Sequence, residues 1–201
     1  GYHGAEPDAA VAESLERCAA ELQAAVQPKS ISARFPLSFT GENTMQIGDL
    51  TVTSANLARN LRGCTEVYLM AATLGIGADR LIARASAVRM SDAVILQAVA
   101  AAMIESCCDE VNDALRHMAE REGLYCRPRF SPGYGDFSIE HQRDFSRLLD
   151  TPRKIGLTVT ESCLLAPIKS VTAVIGLSPE KQDCHRKGCE ECGKTDCNFR
   201  R

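Results

Sequence analysis

The sequence predicts an α+β fold, a single domain with a mainly antiparallel, twisted sheet and flanking helices. Three observations carry this. Several segments repeat apolar residues at spacings of three and four, the period of a helix packed along one side. Others alternate apolar and polar residues, or run apolar without a break, as half-buried and fully buried strands do. The two kinds intermix without the strand–helix–strand rhythm of a parallel sheet. With 201 residues, 45% of them hydrophobic, the chain is long enough for one large domain plus a short appendage.

Each element follows from local chemistry. Val11, Leu15, Cys18, Leu22 and Val26 form one apolar stripe of a helix over 8–26, and Pro28 ends it. Residues 31–39 read as a strand, and 45–52 as a hairpin turning at Gly48-Asp49. Ser54 is an N-cap for a helix to about Leu61, closed by Gly63. The run Val67-Tyr68-Leu69-Met70-Ala71-Ala72 is a buried central strand, which makes Tyr68 a core residue; Gly75 and Gly77 break it. A helix over 78–88 follows. Ser91 then caps the longest helix, 92–120, whose apolar residues lie on most sides and predict a central position. Beyond a loop at 127–136, Ser138 caps a helix with Ile139, Phe145, Leu148 and Leu149 facing inward. Strands are expected at 155–159 and 171–177, and Pro179 ends the globular part. The domain is thus expected over 1–179, with a Cys-rich tail over 180–201.

Composition narrows the function. The formal net charge is −3, there is no Trp, and aromatic residues make up only 5%. Nucleic acid is therefore not the expected partner, since neither phosphate neutralisation nor base stacking is provided for. No run of 18 or more uninterrupted apolar residues and no basic–apolar leader occurs, so neither a membrane span nor secretion is expected, and the cytoplasm is the expected compartment.

The loop from Arg127 to Asp136 holds the most specific chemistry. Pro128 and Pro132 fix two φ angles, and Gly133 and Gly135 let the backbone turn sharply around Tyr134. Arg129 and Tyr134 are thereby presented at fixed positions. A guanidinium grips a carboxylate in bidentate fashion, and backbone groups can read a flat heterocycle. Alone, such a string reads first as a rigid turn with a structural Arg and a packed Tyr.

The string Arg129-Phe130-Ser131-Pro132-Gly133-Tyr134 resembles the RxxxGY signature of the activation (reactivation) domain of cobalamin-dependent methionine synthase. Downstream, Leu157-Thr158-Val159-Thr160-Glu161-Ser162, followed by Pro167 and Ser170-Val171, is similar to that domain's LTES…P…SVSG stretch. Glu105 on the long helix matches the position of the family's ligand-contacting acid. The resemblance covers roughly residues 60–178.

It implies the fold of that domain and a site for S-adenosylmethionine. Arg129 would take the ligand's carboxylate, Glu105 its ammonium, and backbone around Ser131, Gly133 and Tyr134 its adenine, with Glu161 a further contact. The methyl acceptor in that family is the cobalt of a corrinoid. This chain shows no DxHxxG-type corrinoid motif and cannot hold the corrinoid, homocysteine and folate modules of the full synthase. The expectation is a stand-alone reactivation subunit, with a corrinoid-binding methionine synthase or methyltransferase as partner and cobalamin reached only through it. The candidate electron donors are a flavodoxin, a ferredoxin or the chain's own cluster, and the sequence does not choose among them. His141 falls near a family histidine but reads as a surface residue.

Ten cysteines are present, and four of them crowd the end of the chain as Cys184-x4-Cys189-x2-Cys192-x4-Cys197. Four thiolates suit zinc or a [4Fe–4S] cluster, and the spacing does not choose between them. Two disulfides or free thiols are the plainer reading. If the tail carries the function, the chain is an iron–sulfur electron-transfer or corrinoid-reducing accessory protein. A third alternative is a non-catalytic adaptor that clamps a cobalamin domain.

Overall fold

The computed structural model describes residues 8–181. Its centre is β4 (Glu66–Thr73), flanked by β1 (Lys29–Phe39) and β8 (Ser170–Ser178), all antiparallel. β2 (Thr44–Ile47) and β3 (Leu50–Thr53) extend the sheet beyond β1, and β5 (Tyr125–Cys126) closes the other edge, giving the order β3-β2-β1-β4-β8-β5. A separate ribbon pairs β6 (Thr158–Val159) with β7 (Leu165–Ala166). This is the expected α+β architecture.

The unbroken apolar run of β4 has a simple cause: both faces are covered. Tyr68, Met70 and Ala72 point into one core with α1 (Ala9–Ala25), α3 (Ile76–Val88) and α4 (Met90–Glu120). Val67, Leu69 and Ala71 point into the other, with α2 (Ala55–Asn60), α5 (Gln142–Leu149) and α6 (Thr151–Ile155). Each strand residue alternates between the two cores. Tyr68 is buried, as its place in the run predicts. Cys18, Cys64, Cys108 and Cys163 are buried as well, where a thiol packs as a small hydrophobe.

Several boundaries and placements differ from expectation. α4 begins at Met90, and its first turn is served by Asp92 rather than by a Ser91 cap. The buried Asp92 carboxylate accepts from Arg17 Nη2 at 3.0 Å on both oxygens and from Arg89 Nη1 at 3.3 Å, tying α4 to α1. Nor is α4 central: one stripe, including Leu96, Ala100, Ile104 and Leu115, packs on the sheet, whereas Val94 is 63% exposed. By length and composition this helix is apolar enough to cross a membrane, because residues 93–104 carry no charge; no uninterrupted apolar run betrays that in the sequence.

The stripe of α1 is buried only at Cys18 and Leu22; Val11 and Leu15 stay nearly half exposed. Gly77 lies inside the first turn of α3 instead of ending β4. A Cβ there would stand 1.9 Å from the Ala25 carbonyl oxygen, so only glycine allows α1 and α3 this approach. The expected strand over 155–159 is mostly not one. Pro152 starts the short α6, Gly156 (φ 71°) ends it, and only Thr158–Val159 is extended. Ser138 caps a 3₁₀ turn, Ile139–His141, that leads into α5, with Ile139 partly exposed.

Candidate functional site

The loop after β5 takes its shape from the sheet edge. Arg127 N–H donates to Gly176 O at 2.8 Å, and Phe130 exchanges both backbone hydrogen bonds with Val174 at 2.9 Å. The extended backbone that Pro128 favours therefore continues β5 alongside β8. The chain then turns: Tyr134 N–H donates to Ser131 O at 3.2 Å, with Pro132 second and Gly133 (φ 95°) third in the turn. That is the residue pattern of a type II turn. Gly133 N–H is itself engaged, donating to Phe137 O at 2.8 Å.

Asp136 fastens the far end of the loop. Its carboxylate accepts from Ser54 Oγ at 2.5 Å, Ala55 N–H at 2.7 Å and Asn56 N–H at 3.1 Å, at the start of α2. The Ser54 hydroxyl in turn accepts from Leu57 N–H at 3.0 Å, the cap expected from the sequence. The Ser54 hydrogen bond, joined by the two amides, holds the Asp136 carboxyl down at about 2.

Between these anchors Arg129 projects onto α4. Its Nη1 stands 2.8 Å from Asp109 Oδ1 and its Nη2 3.4 Å from Glu105 Oε2. Glu105 and Asp109 are one helical turn apart, so one face of α4 offers both carboxylates to one guanidinium. The Arg129 side chain is only 12% exposed; the two acids are largely open to solvent. Beneath it, burial pushes the Cys108 thiol up to about 12, which keeps it neutral.

A cavity of about 540 Å³ opens beside Arg129. Glu105, Arg129, Ser131 and Tyr134 line it, with Gln142 from α5 and Thr172 from β8 forming its buried polar wall. Four of the six binding residues expected from the sequence thus share one wall. Gly133 shapes the turn but does not itself line the cavity. Glu161 lies apart, in the β6–β7 turn, where its backbone carbonyl accepts from Arg143 Nη2 at 2.6 Å. The stretch that contains Glu161 does reach the cavity, through Leu165, Ser170 and Val171.

His141 stacks on Phe137 at 5.3 Å, its Nδ1 lies 2.9 Å from Asp144, and it does not line the cavity. Asp109 is the partner that the sequence did not single out; its spacing of four from Glu105 was the available signal. Thr172 and Gln142 had none, because only the tertiary fold brings them together. The proposed metal ligands Cys184, Cys189, Cys192 and Cys197 lie outside the described residues. Among the described residues no cluster of three or more His, Cys, Asp or Glu side chains could hold a metal.

Fold and site together define an α+β domain with a cavity at whose wall one guanidinium meets two carboxylates. No protein-family model and no curated protein matches the chain. Its fold is similar to that of the solved MetH reactivation domain bound to AdoHcy, with a TM-score of 0.65 and 16% identity, over 89% of this chain and 69% of that one.

Proposed function

We propose that the cavity binds S-adenosylmethionine and that the chain acts as a reactivation subunit for a corrinoid-dependent methionine synthase or methyltransferase. The observation that carries this reading is the Arg129–Glu105–Asp109 cluster at the wall of a 540 Å³ cavity, in a fold whose solved neighbour holds AdoHcy. That neighbour's ligand is the demethylated form of the proposed one.

The residues fit such a ligand. Its amino-acid end is a zwitterion, and a guanidinium flanked by two exposed carboxylates offers a partner for each charge. The cavity volume suits a molecule of this size. Since the N–H groups of Gly133 and Tyr134 are both already engaged, the adenine is read by the Ser131 and Tyr134 side chains. Tyr134 is 69% exposed and available to cover the ligand. A sulfonium next to Glu105 is favoured by charge.

This chain's own residues bind and orient; a corrinoid on the partner protein supplies the cobalt that accepts the methyl group. The four tail cysteines are proposed to bind zinc or a [4Fe–4S] cluster, which an absorption spectrum of anaerobically purified protein distinguishes. Flavodoxin or ferredoxin is the proposed class of electron donor.

Calorimetric titration with S-adenosylmethionine tests the reading. One saturable site is expected, lost in Arg129→Ala. Absence of heat at millimolar ligand, or unchanged affinity in the variant, would overturn it.

A further inference from the structure

The outer face of α4 carries no charge where it borders the first cavity. From Ala93 to Ile104 the helix has no Asp, Glu, Lys or Arg, although Val94, Gln97, Ala98 and Ala101 are all exposed. These four recur at spacings of three and four, and the same row continues to Glu105 on the cavity wall. Ala101 lies about 6 Å from Glu105 along the helix axis. A helix face left in water ordinarily carries polar and charged side chains. This row is apolar apart from the Gln97 carboxamide.

The corner between β7 and β8 extends the same surface. Ile168 is 69% exposed, yet its backbone is held, the N–H donating to Asp79 Oδ2 at 2.9 Å. Lys169 turns its ammonium back onto the Gln97 carbonyl of α4 at 3.3 Å, and Ser170 then enters the cavity wall. The corner is thus fastened to α4 beside the uncharged row, with one large apolar side chain left in solvent. Row and corner together border one side of the cavity mouth.

We propose that this surface docks the corrinoid-bearing face of the partner protein, with Val94, Ala98, Ala101 and Ile168 as its apolar contacts and Gln97 as its hydrogen-bonding group. The inference rests on the reading of the cavity as an S-adenosylmethionine site. A methyl group passes directly only when donor and acceptor are in contact, so the acceptor closes over the mouth and the surface beside it loses its water. Desolvating an uncharged face costs far less than burying an unpaired charge. A corrin ring carries neutral carboxamides and methyl groups around its rim, which an apolar row with a single carboxamide matches.

The test measures two equilibria of the full chain. One is calorimetric titration with S-adenosylmethionine. The other is sedimentation of the ligand-saturated chain with each cobalamin-loaded corrinoid protein of the source organism. Ala98→Glu and Ile168→Asp are expected to weaken a one-to-one complex about tenfold or more. Both should keep S-adenosylmethionine affinity within about twofold of wild type, since an exposed charge that far from Glu105 is screened. Retained affinity also shows that the variants fold. Arg84→Glu, a larger charge change on α3, is expected to alter neither equilibrium.

The proposal is overturned if wild type binds S-adenosylmethionine but none of the corrinoid proteins, or if both variants bind the corrinoid protein as wild type does. An equal loss in Arg84→Glu overturns it as well, because the effect is then one of net charge. Self-association that Ala98→Glu disperses would give the face to a second copy, and binding to phosphatidylcholine vesicles lost in the same variant would give it to lipid; either result overturns the assignment. Failure of wild type to bind S-adenosylmethionine sinks the reading of the cavity itself, and this inference falls with it.

Discussion

Arg129 and Asp109 stand 2.8 Å apart, while Glu105, one turn earlier on the same helix, keeps 3.4 Å from the other end of the guanidinium. The shorter contact aims the arginine; the longer one leaves Glu105 free to turn toward a ligand ammonium. The two acids should therefore respond differently to neutralisation. Glu105→Gln removes a charge-assisted contact and is expected to weaken S-adenosylmethionine by at least tenfold, or about 1.5–3 kcal/mol. Asp109→Asn loosens the aim and should cost less, about threefold. Calorimetry of both variants checks this, and equal losses would mean that Asp109 also contacts the ligand.

The Asp136 anchor predicts an acid transition. Its carboxyl titrates at about 2 in the folded protein, against 3.8 for an unperturbed Asp. A lowered folded value means that the ionised form is the one folding favours. The stabilisation is complete above about pH 4 and is lost as pH falls toward 2. Melting temperature followed from pH 5 to pH 2 should fall more gently in Asp136→Asn than in wild type. The same variant should also melt lower at neutral pH, because the carboxamide NH2 cannot accept from Ala55 N–H and the remaining hydrogen bonds lose their charge. A parallel acid limb in both proteins would exclude this role.

How much was legible beforehand depends on where the information sits. β4 could be read because burial on both faces makes its whole run apolar. The loop could be read because Pro132 and Gly133 occupy the two positions that a type II turn assigns to them. Ser54 was legible as a cap, but not its partner Asp136, which lies far away in sequence. For the same reason the polar wall of Gln142 and Thr172 was invisible. The strand expected at 155–159 failed because alternation at Ile155, Leu157 and Val159 outweighed Pro152 and Gly156, which mark a helical turn there. The position of α4 failed because apolar content measures how much a helix could bury, not how much its neighbours cover.

Gly77 sets the distance between α1 and α3. A methyl group would meet the Ala25 carbonyl oxygen at 1.9 Å, and the obstacle is backbone that cannot rotate away. Gly77→Ala would gain helix propensity of about 1 kcal/mol at an open site. Here the helices must separate, and a net loss of about 1–3 kcal/mol is expected. Urea unfolding measures it, and a variant as stable as wild type would show that α1 shifts freely. Because α1 also carries Arg17, the partner of Asp92, the loss should be smaller in an Arg17→Ala background.

Thr172 and Gln142 form a buried pair at the cavity wall: the hydroxyl donates to Gln142 Oε1 at 2.5 Å. With that oxygen engaged, the carboxamide nitrogen is the group left to offer the cavity a donor. Removing one partner and removing both should therefore differ. Thr172→Val leaves a buried acceptor unsatisfied and should cost about 1–3 kcal/mol. Gln142→Leu with Thr172→Val leaves neither partner stranded, and its cost should be well below the sum of the two single changes. Chemical denaturation of the four proteins gives this coupling. Titration of the same set with S-adenosylmethionine then separates stability from recognition. Thr172→Val keeps the Gln142 nitrogen and should bind within a few-fold of wild type, while Gln142→Leu should bind at least fivefold more weakly, the loss of one neutral hydrogen bond of about 1 kcal/mol. Equal affinity in all four would mean that the ligand takes no hydrogen bond from this wall.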